Sequence, residues 1–301
     1  MKKLFYLTIV TCIFGLSASA QLTLPRASQR QEITQTVGDT KISIVYHRPN
    51  TNGRANIFGC TSTDVVPVGG KNYDCLVPNG QVWRTGANEN TTFEVSNDVK
   101  INGQALPAGK YGLHTIPNKD EWVVIFNKVN TEWGSYKYDV KQDQLRVNVK
   151  PQVAETQETM ALGFENVKAA TADVVVRWDK MRVPFTVDIG DMNSRVLTYI
   201  RESLKTVKAE DFRSPMDGAN FVYNNKMTAN YAEAIGWLDS LLARRETPGA
   251  LGLKANLLAD SGKTAEAIVA GEKALQLAKA MPQPPNTAAL EKKLAEWKAK
   301  K

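Results

Sequence analysis

The chain of 301 residues has few of the side chains on which common enzyme chemistry depends. It contains two histidines, His47 and His114, and three cysteines. Two histidines cannot form a three-histidine metal site, and no H-x-H or H-E-x-x-H spacing occurs. The sequence also has no G-x-S-x-G elbow, phosphate-binding loop or dinucleotide fingerprint. These absences count against the common hydrolases and nucleotide-dependent enzymes, and we expect neither a metal nor a cofactor.

Long hydrophobic runs are also missing. The apolar run at residues 4–16 follows Lys2 and Lys3 and precedes a small-residue site that ends at Ala20. A spanning helix needs about 20 apolar residues, so this run is too short to be one. The pattern predicts a secretory signal peptide over residues 1–20, cleaved after Ala20. No later segment is apolar enough to span a membrane, so we expect a periplasmic or secreted protein.

Removal of the signal peptide removes Cys12 and leaves Cys60 and Cys75. An even pair in an oxidising compartment favours a disulfide, although two unpaired thiols in a loop are the alternative. A bridge closing a loop of about 15 residues stabilises a fold by about 3 kcal/mol in the chain-entropy model.

The net positive charge of the mature chain comes from its C-terminal third. The net charge of +7 becomes +5 without Lys2 and Lys3. Residues 21–191 carry 19 basic and 19 acidic side chains, whereas residues 192–301 carry 17 and 12. The excess Lys and Arg recur at helical spacing, which is typical of a solvated helix face. We therefore expect no nucleic-acid partner.

Strand signals dominate residues 28–188. In the run at residues 41–48, Ile42, Ile44 and Tyr46 fall on one face, which indicates a strand with one buried face. Asn102-Gly103 is a strong hairpin signal. Residues 50–81 form a long irregular excursion, which is typical of a functional or disordered segment. The repeated short strands predict an all-β antiparallel sandwich domain over residues 21–190.

After Gly190 the apolar period becomes helical. Asn193 or Ser194 can cap a helix that runs to about Lys208. Two similar segments, 231–235 and 264–268, lie 33 residues apart and resemble tetratricopeptide repeats. Residues 191–301 are thus predicted to form a small all-α tetratricopeptide-like domain, and such repeats commonly dock a protein partner.

The most informative stretch is residues 82–89. Trp83 offers a stacking face for a sugar, and Arg84 offers a bidentate grip on a carboxylate or phosphate. Both residues also have a structural interpretation, in which Trp83 anchors the core and Arg84 pairs with Glu89. The predicted ligand-binding set comprises Arg48, Arg54, Trp83, Arg84, Thr85, Asn88 and Glu89.

Three functions remain open at this point. The first is a non-enzymatic binding protein for a small polar or carbohydrate ligand, with a helical domain that docks a protein. The second is a hydrolase in which Glu89 or His114 is the base and Arg84 stabilises an oxyanion. A lone histidine on a strand is more often structural. The third is an envelope scaffold in which residues 82–89 only stabilise the fold.

An ordered set of short motifs resembles one family. The set comprises Arg26-Ala27-Ser28, Tyr46 with Arg48-Pro49, Gly53-Arg54, Val77-Pro78 with Gly80, the stretch at 82–89, Leu106-Pro107-Ala108-Gly109 with Tyr111, Thr115-Ile116-Pro117, Trp122, Ile125-Phe126-Asn127-Lys128, Trp133-Gly134 and Trp178. Over about residues 24–188 the chain resembles the exported bacterial family called domain of unknown function 2911. The resemblance implies a secreted β domain, in some members with a helical extension, and no established activity. Members often have a shorter excursion and a Phe at the position of His114.

Overall fold

The computed structural model describes residues 24–61, 75–208 and 210–300. The predicted signal peptide and its cleavage site lie outside these residues. Within them, antiparallel sheets occupy residues 29–188, and six helices follow over residues 192–299. The predicted order of an all-β domain and then an all-α domain is confirmed.

The described part of the β domain contains twelve strands. They are β1 (Gln29–Val37), β2 (Thr40–Arg48), β3 (Phe58–Thr61), β4 (Val77–Asn79), β5 (Thr91–Val95), β6 (Val99–Ile101), β7 (Gln104–Leu106), β8 (Gly109–Ile116), β9 (Trp122–Asn127), β10 (Asp143–Val149), β11 (Gln152–Glu165) and β12 (Thr171–Asp188). A six-stranded antiparallel sheet has the order β1-β2-β5-β8-β9-β10, and a four-stranded antiparallel sheet has the order β11-β12-β6-β7. Strands β3 and β4 form a separate parallel pair.

The core lies between the two larger sheets. Ile42, Ile44 and Tyr46 of β2 are buried, as their alternation predicts. Phe126 of β9 packs edge-on against Phe185 of β12, with ring centroids 5.8 Å apart. Each fully buried large apolar side chain contributes about 1.5–3 kcal/mol, so the many buried side chains between the two sheets together stabilise the domain.

Residues with positive φ explain one connection between strands and one bend within a strand. Asn102 and Gly103 both have positive φ and join β6 to β7, as the hairpin signal predicts. In contrast, the apolar runs at 174–178 and 183–187, which look like two strands, belong to the single strand β12. Asp179 has a φ of 52° at an irregularity in the pairing with β11, so the strand bends there without ending.

Part of the long excursion at residues 50–81 has regular structure. Phe58 of β3 pairs in parallel with Val77 of β4. A disulfide joins Cys60 to Cys75, with Cα atoms 5.6 Å apart, and confirms the predicted pairing. Residues 62–74 of the excursion lie outside the described part of the chain.

The helices are α1 (Met192–Lys205), α2 (Arg213–Asn224), α3 (Tyr231–Leu242), α4 (Pro248–Asp260), α5 (Thr264–Lys279) and α6 (Ala288–Ala299). Each packs against the next along the chain. The cap of α1 differs from the prediction, because Asp191 accepts the Ser194 amide at 3.1 Å and so precedes both predicted cap residues. Arg195 of α1 grips Asp39 of the β1–β2 turn through two nitrogens, at 2.9 and 2.7 Å. None of the helices in the described segments is long and apolar enough to cross a membrane.

The disulfide gives a first prediction. In the chain-entropy model its loss costs about 3 kcal/mol, so the Cys60→Ser, Cys75→Ser double variant should melt at a lower temperature than the oxidised wild type. Differential scanning calorimetry measures this shift. Dithiothreitol should lower the melting temperature of the wild type to that of the variant and leave the variant unchanged. Equal melting temperatures for the variant and the oxidised wild type would contradict the assignment.

Candidate functional site

The stretch at residues 82–89 begins with backbone pairing to β8. The amide of Trp83 donates to the Thr115 carbonyl at 2.7 Å, and the Thr115 amide donates to the Trp83 carbonyl at 2.8 Å. The Trp83 ring stacks on Trp178 at 5.8 Å and meets Phe58 edge-on at 5.7 Å. Its indole N–H donates to the Gly86 carbonyl at 3.1 Å. Trp83 thus anchors the stretch in the domain core, as its structural interpretation requires.

The turn that follows is tight and strained. Thr85 is fully buried with a φ of 53°, a conformation that is costly for a β-branched residue. Its hydroxyl donates to that of Thr115 at 3.1 Å, and its carbonyl accepts from the Thr91 hydroxyl at 2.8 Å. A Cβ at Gly86 would lie 3.0 Å from the His47 carbonyl oxygen, so any larger residue would force a neighbour to shift by a few tenths of an ångström. These contacts hold the turn against the sheet.

Arg84 and Glu89 do not pair with each other. Arg84 Nη1 donates to the Asn88 carbonyl at 2.8 Å, and its guanidinium lies 5.9 Å from the centroid of the Tyr136 ring. Glu89 accepts from Arg26 Nη1 at 2.7 Å through both oxygens. The two charged side chains at the ends of the turn therefore contact different parts of the chain.

Glu89 and His114 are both weakened as general bases near neutral pH, because each has a lowered pKa. The hydrogen bond from Arg26 lowers the pKa of Glu89 below its usual value. His114 is 3% exposed, and burial lowers its pKa to about 4. Its Nδ1 lies 2.8 Å from the Ser135 hydroxyl. Glu89 lines the charged cleft described below, whereas His114 lies in a separate small cavity beneath the loop of Ser135.

The stretch stands between two open clefts. We call the first the aromatic cleft; it has a volume of about 320 Å³ and is lined chiefly by Leu76, Pro78, Trp83, Arg84, Tyr136 and Tyr138. We call the second the charged cleft; it has a volume of about 490 Å³ and is lined chiefly by Arg26, Arg30, His47, Glu89, Asn90 and Lys110. Both volumes suit a small ligand.

The structure divides the predicted ligand-binding set. Trp83 and Arg84 line the aromatic cleft, and Glu89 lines the charged cleft. Thr85 is buried, and the amide of Asn88 donates to the Ser28 carbonyl at 3.3 Å. The other two members, Arg48 and Arg54, lie apart from both clefts; their guanidinium groups donate to the carbonyls of Met160 at 2.8 Å and Asn50 at 2.7 Å. Their role in ligand binding stays a prediction.

Several residues that line the two clefts were not predicted from the sequence. Arg26 lies 63 positions before its partner Glu89, and no spacing rule connects them. Lys110 lies on β8 and Asn90 immediately precedes β5, and in the sequence both look like ordinary surface positions. Tyr136 belongs to the Tyr136-Lys137-Tyr138 run, whose aromatic content in a polar loop is the one signal that could have pointed to a site.

A polar network fixes the loop that carries Tyr136. Asp143, which is largely buried, accepts hydrogen bonds from Tyr138, Arg146 and Asn127. Burial and the hydrogen bond to Asp143 raise the pKa of Tyr138 to about 12, so its hydroxyl stays protonated as a donor. These hydrogen bonds hold the loop in place.

No group of three metal-binding side chains occurs among residues 24–61, 75–208 and 210–300.

Comparison with known proteins identifies the family. A model described as protein of unknown function (DUF2911) matches residues 28–187, more than half of the chain. The chain therefore belongs to this family. No curated protein and no solved structure matches it.

The buried histidine predicts a pH-dependent stability. The pKa of His114 lies near 6.5 in the unfolded chain and at about 4 in the folded one. Its stabilising contribution is complete above pH 6.5 and is lost as the pH falls towards 4, because the unfolded chain then binds the proton first. This loss amounts to about 3 kcal/mol. Urea unfolding of the wild type and of His114→Phe between pH 7 and 4 should show a smaller loss in the variant.

Ser135→Ala is the matched control for that experiment, because it removes the hydrogen bond and keeps the histidine. It should retain the pH dependence of the wild type. Parallel curves for the wild type and His114→Phe would show that His114 does not carry the effect.

Proposed function

We propose that this member of the DUF2911 family is an exported, non-enzymatic binding protein. Its β domain would bind a small polar or carbohydrate ligand in the aromatic cleft, and its helical domain would dock a protein partner. Export would follow cleavage of the signal peptide after Ala20. The disulfide between Cys60 and Cys75 fits an oxidising periplasmic or extracellular compartment.

The observation that carries the proposal is the exposed ring of Tyr136. This side chain is 53% exposed at the aromatic cleft, on a loop that the Asp143 network fixes. The Arg84 guanidinium lies against the same ring. A large aromatic ring held rigidly at an open cleft is a stacking platform that needs little ordering when a ligand binds. Sugar rings present the apolar C–H faces that stack on such a platform.

The walls of the cleft support a ligand that is polar at its edge. Trp83 and Pro78 contribute apolar surface, whereas Arg84 contributes a cation. Arg84 Nη1 is engaged with the Asn88 carbonyl, but a guanidinium has five N–H donors in all. An apolar floor with a few fixed polar groups is the usual composition of a small-molecule site.

Binding is favoured over hydrolysis because the described residues supply no base at the cleft. The lowered pKa of His114, caused by its burial, and that of Glu89, caused by Arg26, remove both candidates from the range in which a general base works best. An envelope scaffold is the second candidate. It is favoured by the internal hydrogen bonds of Trp83 and Arg84, which would hold equally well if the stretch only stabilised the fold.

Removal of the Tyr136 ring should weaken sugar binding. We expect Tyr136→Ala to lower affinity about fivefold or more, because stacking on an aromatic ring contributes about 1 kcal/mol. Isothermal titration calorimetry with maltose, cellobiose and chitobiose measures the affinity, and Trp83 provides a fluorescence signal beside the site.

Tyr199→Ala is the matched control, since Tyr199 is 73% exposed on α1. It should bind as the wild type does. If none of the three disaccharides binds the folded wild type, or if both variants bind them equally well, the scaffold function replaces the proposed one.

The helical domain is proposed as the protein-docking part because its similar segments at 231–235 and 264–268 resemble tetratricopeptide repeats. These segments lie at the starts of α3 and α5. Repeats of this kind expose extended surfaces that bind other proteins.

Pull-down from a periplasmic extract tests this part of the proposal. Residues 21–301 should retain a protein that residues 21–191 do not retain. The shorter chain loses the contact between Arg195 and Asp39, so its fold must first be checked by near-ultraviolet circular dichroism. Identical sets of retained proteins on two folded chains would remove docking from the helical domain.

A further inference from the structure

The charged cleft lies on the outer face of the six-stranded sheet. Arg30 of β1 is paired with His47 of β2, so both side chains project to the same face as the cleft. Lys110 of β8 projects to this face two residues before Gly112. The segment before β1 supplies Arg26 at the rim. Together with Glu89 and Asn90, these residues bring four separate parts of the chain to one cleft.

Close backbone packing builds one end of this cleft. A Cβ at Gly112 would clash with the carbonyl oxygen of Val129 and would lie 2.8 Å from the Asn90 amide nitrogen. Glycine therefore allows the loop after β9 to lie directly on β8, next to Asn90. The arrangement is a close-packed wall rather than a loose loop.

Cations outnumber carboxylates along the cleft. Arg26, Arg30 and Lys110 contribute three positive charges, and Glu89 contributes one negative charge. Burial is the largest cause of the lowered pKa of His47, so this histidine is neutral at pH 7. The cleft lining therefore has an excess of two positive charges.

Neighbouring carboxylates reduce this excess without removing the donors. Glu32 pairs with Arg30 at 3.0 Å, but both side chains are more than half exposed and such pairs are weak. Glu94 is the strand partner of Lys110. Arg26 uses Nη1 for Glu89, which leaves other guanidinium donors at the rim. A negatively charged ligand could therefore displace or share these partners.

Asn90 favours a hydrogen-bond donor on the ligand, whereas the cations favour a negative charge. Its side chain lines the cleft and is 95% buried, since the residue is 5% exposed. Its Nδ2 donates to the Val129 carbonyl at 3.4 Å, which fixes the orientation of the amide. Its Oδ1 is buried and has no hydrogen-bond partner in the described part of the chain. An unpaired buried acceptor costs about 1–3 kcal/mol, so a donor that reaches it is favoured.

We propose that the charged cleft is a second ligand site, specific for a small carboxylate that also carries hydroxyl groups, of the sugar-acid class. Arg30 on β1 and Lys110 on β8 lie three strands apart and attract the carboxylate through the positive charge of the lining, and the Asn90 amide turns its buried Oδ1 to accept from a hydroxyl. Glu89, which Arg26 orients, accepts from another hydroxyl. This site shares no lining residue with the aromatic cleft and does not depend on the function proposed for it.

Calorimetric titration of the mature chain with glucuronate tests the site. We expect glucuronate to bind and glucose to bind at least about tenfold more weakly, because a charge-assisted hydrogen bond contributes about 1.5–3 kcal/mol. Arg30→Gln and Lys110→Gln should each weaken glucuronate binding about tenfold. Lys100→Gln changes the same residue type on β6, outside the cleft, and should leave the affinity unchanged.

Asn90 requires a second measurement, since Asn90→Leu also loses the hydrogen bond to Val129. In the wild type, nuclear magnetic resonance should show a shift of the Asn90 side-chain amide signal with glucuronate. The same signal should shift less in the Lys110→Gln variant at an equal, subsaturating glucuronate concentration.

Three results would overturn the proposal. The first is no glucuronate binding to the folded wild type. The second is equal affinity for glucose and glucuronate, and the third is equal affinity in Lys110→Gln and Lys100→Gln. Tyr136→Ala should leave glucuronate binding intact, which separates a failure of this site from a failure of the aromatic cleft.

Discussion

The reciprocal hydrogen bonds between Trp83 and Thr115 are the constraint on which the rest of the site depends. They attach a segment with little regular structure to the last rungs of β8. The Trp83 ring then inserts among Phe58, Trp122 and Trp178, which joins the segment to both larger sheets and to β3. Edge and stacked contacts of this kind each contribute about 0.5–1.5 kcal/mol beyond area burial. Together they offset the strain of the turn at Thr85.

This attachment fixes residues 82–89 between the aromatic cleft and the charged cleft. The Arg84 side chain points towards Tyr136, and the Glu89 side chain points towards Arg26 and His47. The Asp143 network fixes the loop on the far side of the aromatic cleft, and the loop after β9 packs on Gly112 beside the charged cleft. Both clefts are therefore built from fixed backbone. In a binding protein, such preorganisation lowers the entropic cost of holding a ligand.

The sequence predicts the local features of this structure better than its long-range ones. Alternation in β2 identifies the buried face that contains Ile42, and Asn102-Gly103 identifies a hairpin, because both signals depend on neighbouring residues. The cysteine pair follows from compartment and spacing. Strand β12 is mistaken for two strands because Asp179 interrupts the alternation where the strand bends.

The candidate site is predictable only in part, because its contacts join distant positions. Trp83 and Arg84 can be identified as unusual, but the partner of Arg84 cannot, since a carbonyl of the same turn competes with every nearby carboxylate. The pairing of Arg26 with Glu89 depends on the path of the segment before β1, for which alternation gives no information.

Amide hydrogen exchange tests the central claim, that residues 82–89 form a rigid wall fixed to β8. The amides of Trp83 and Thr115 should exchange as slowly as those in the middle of β5 and β8, because their hydrogen bonds open only when the domain unfolds. Exchange at the rate of exposed loop amides would contradict the account, since the wall would then open independently of the sheet.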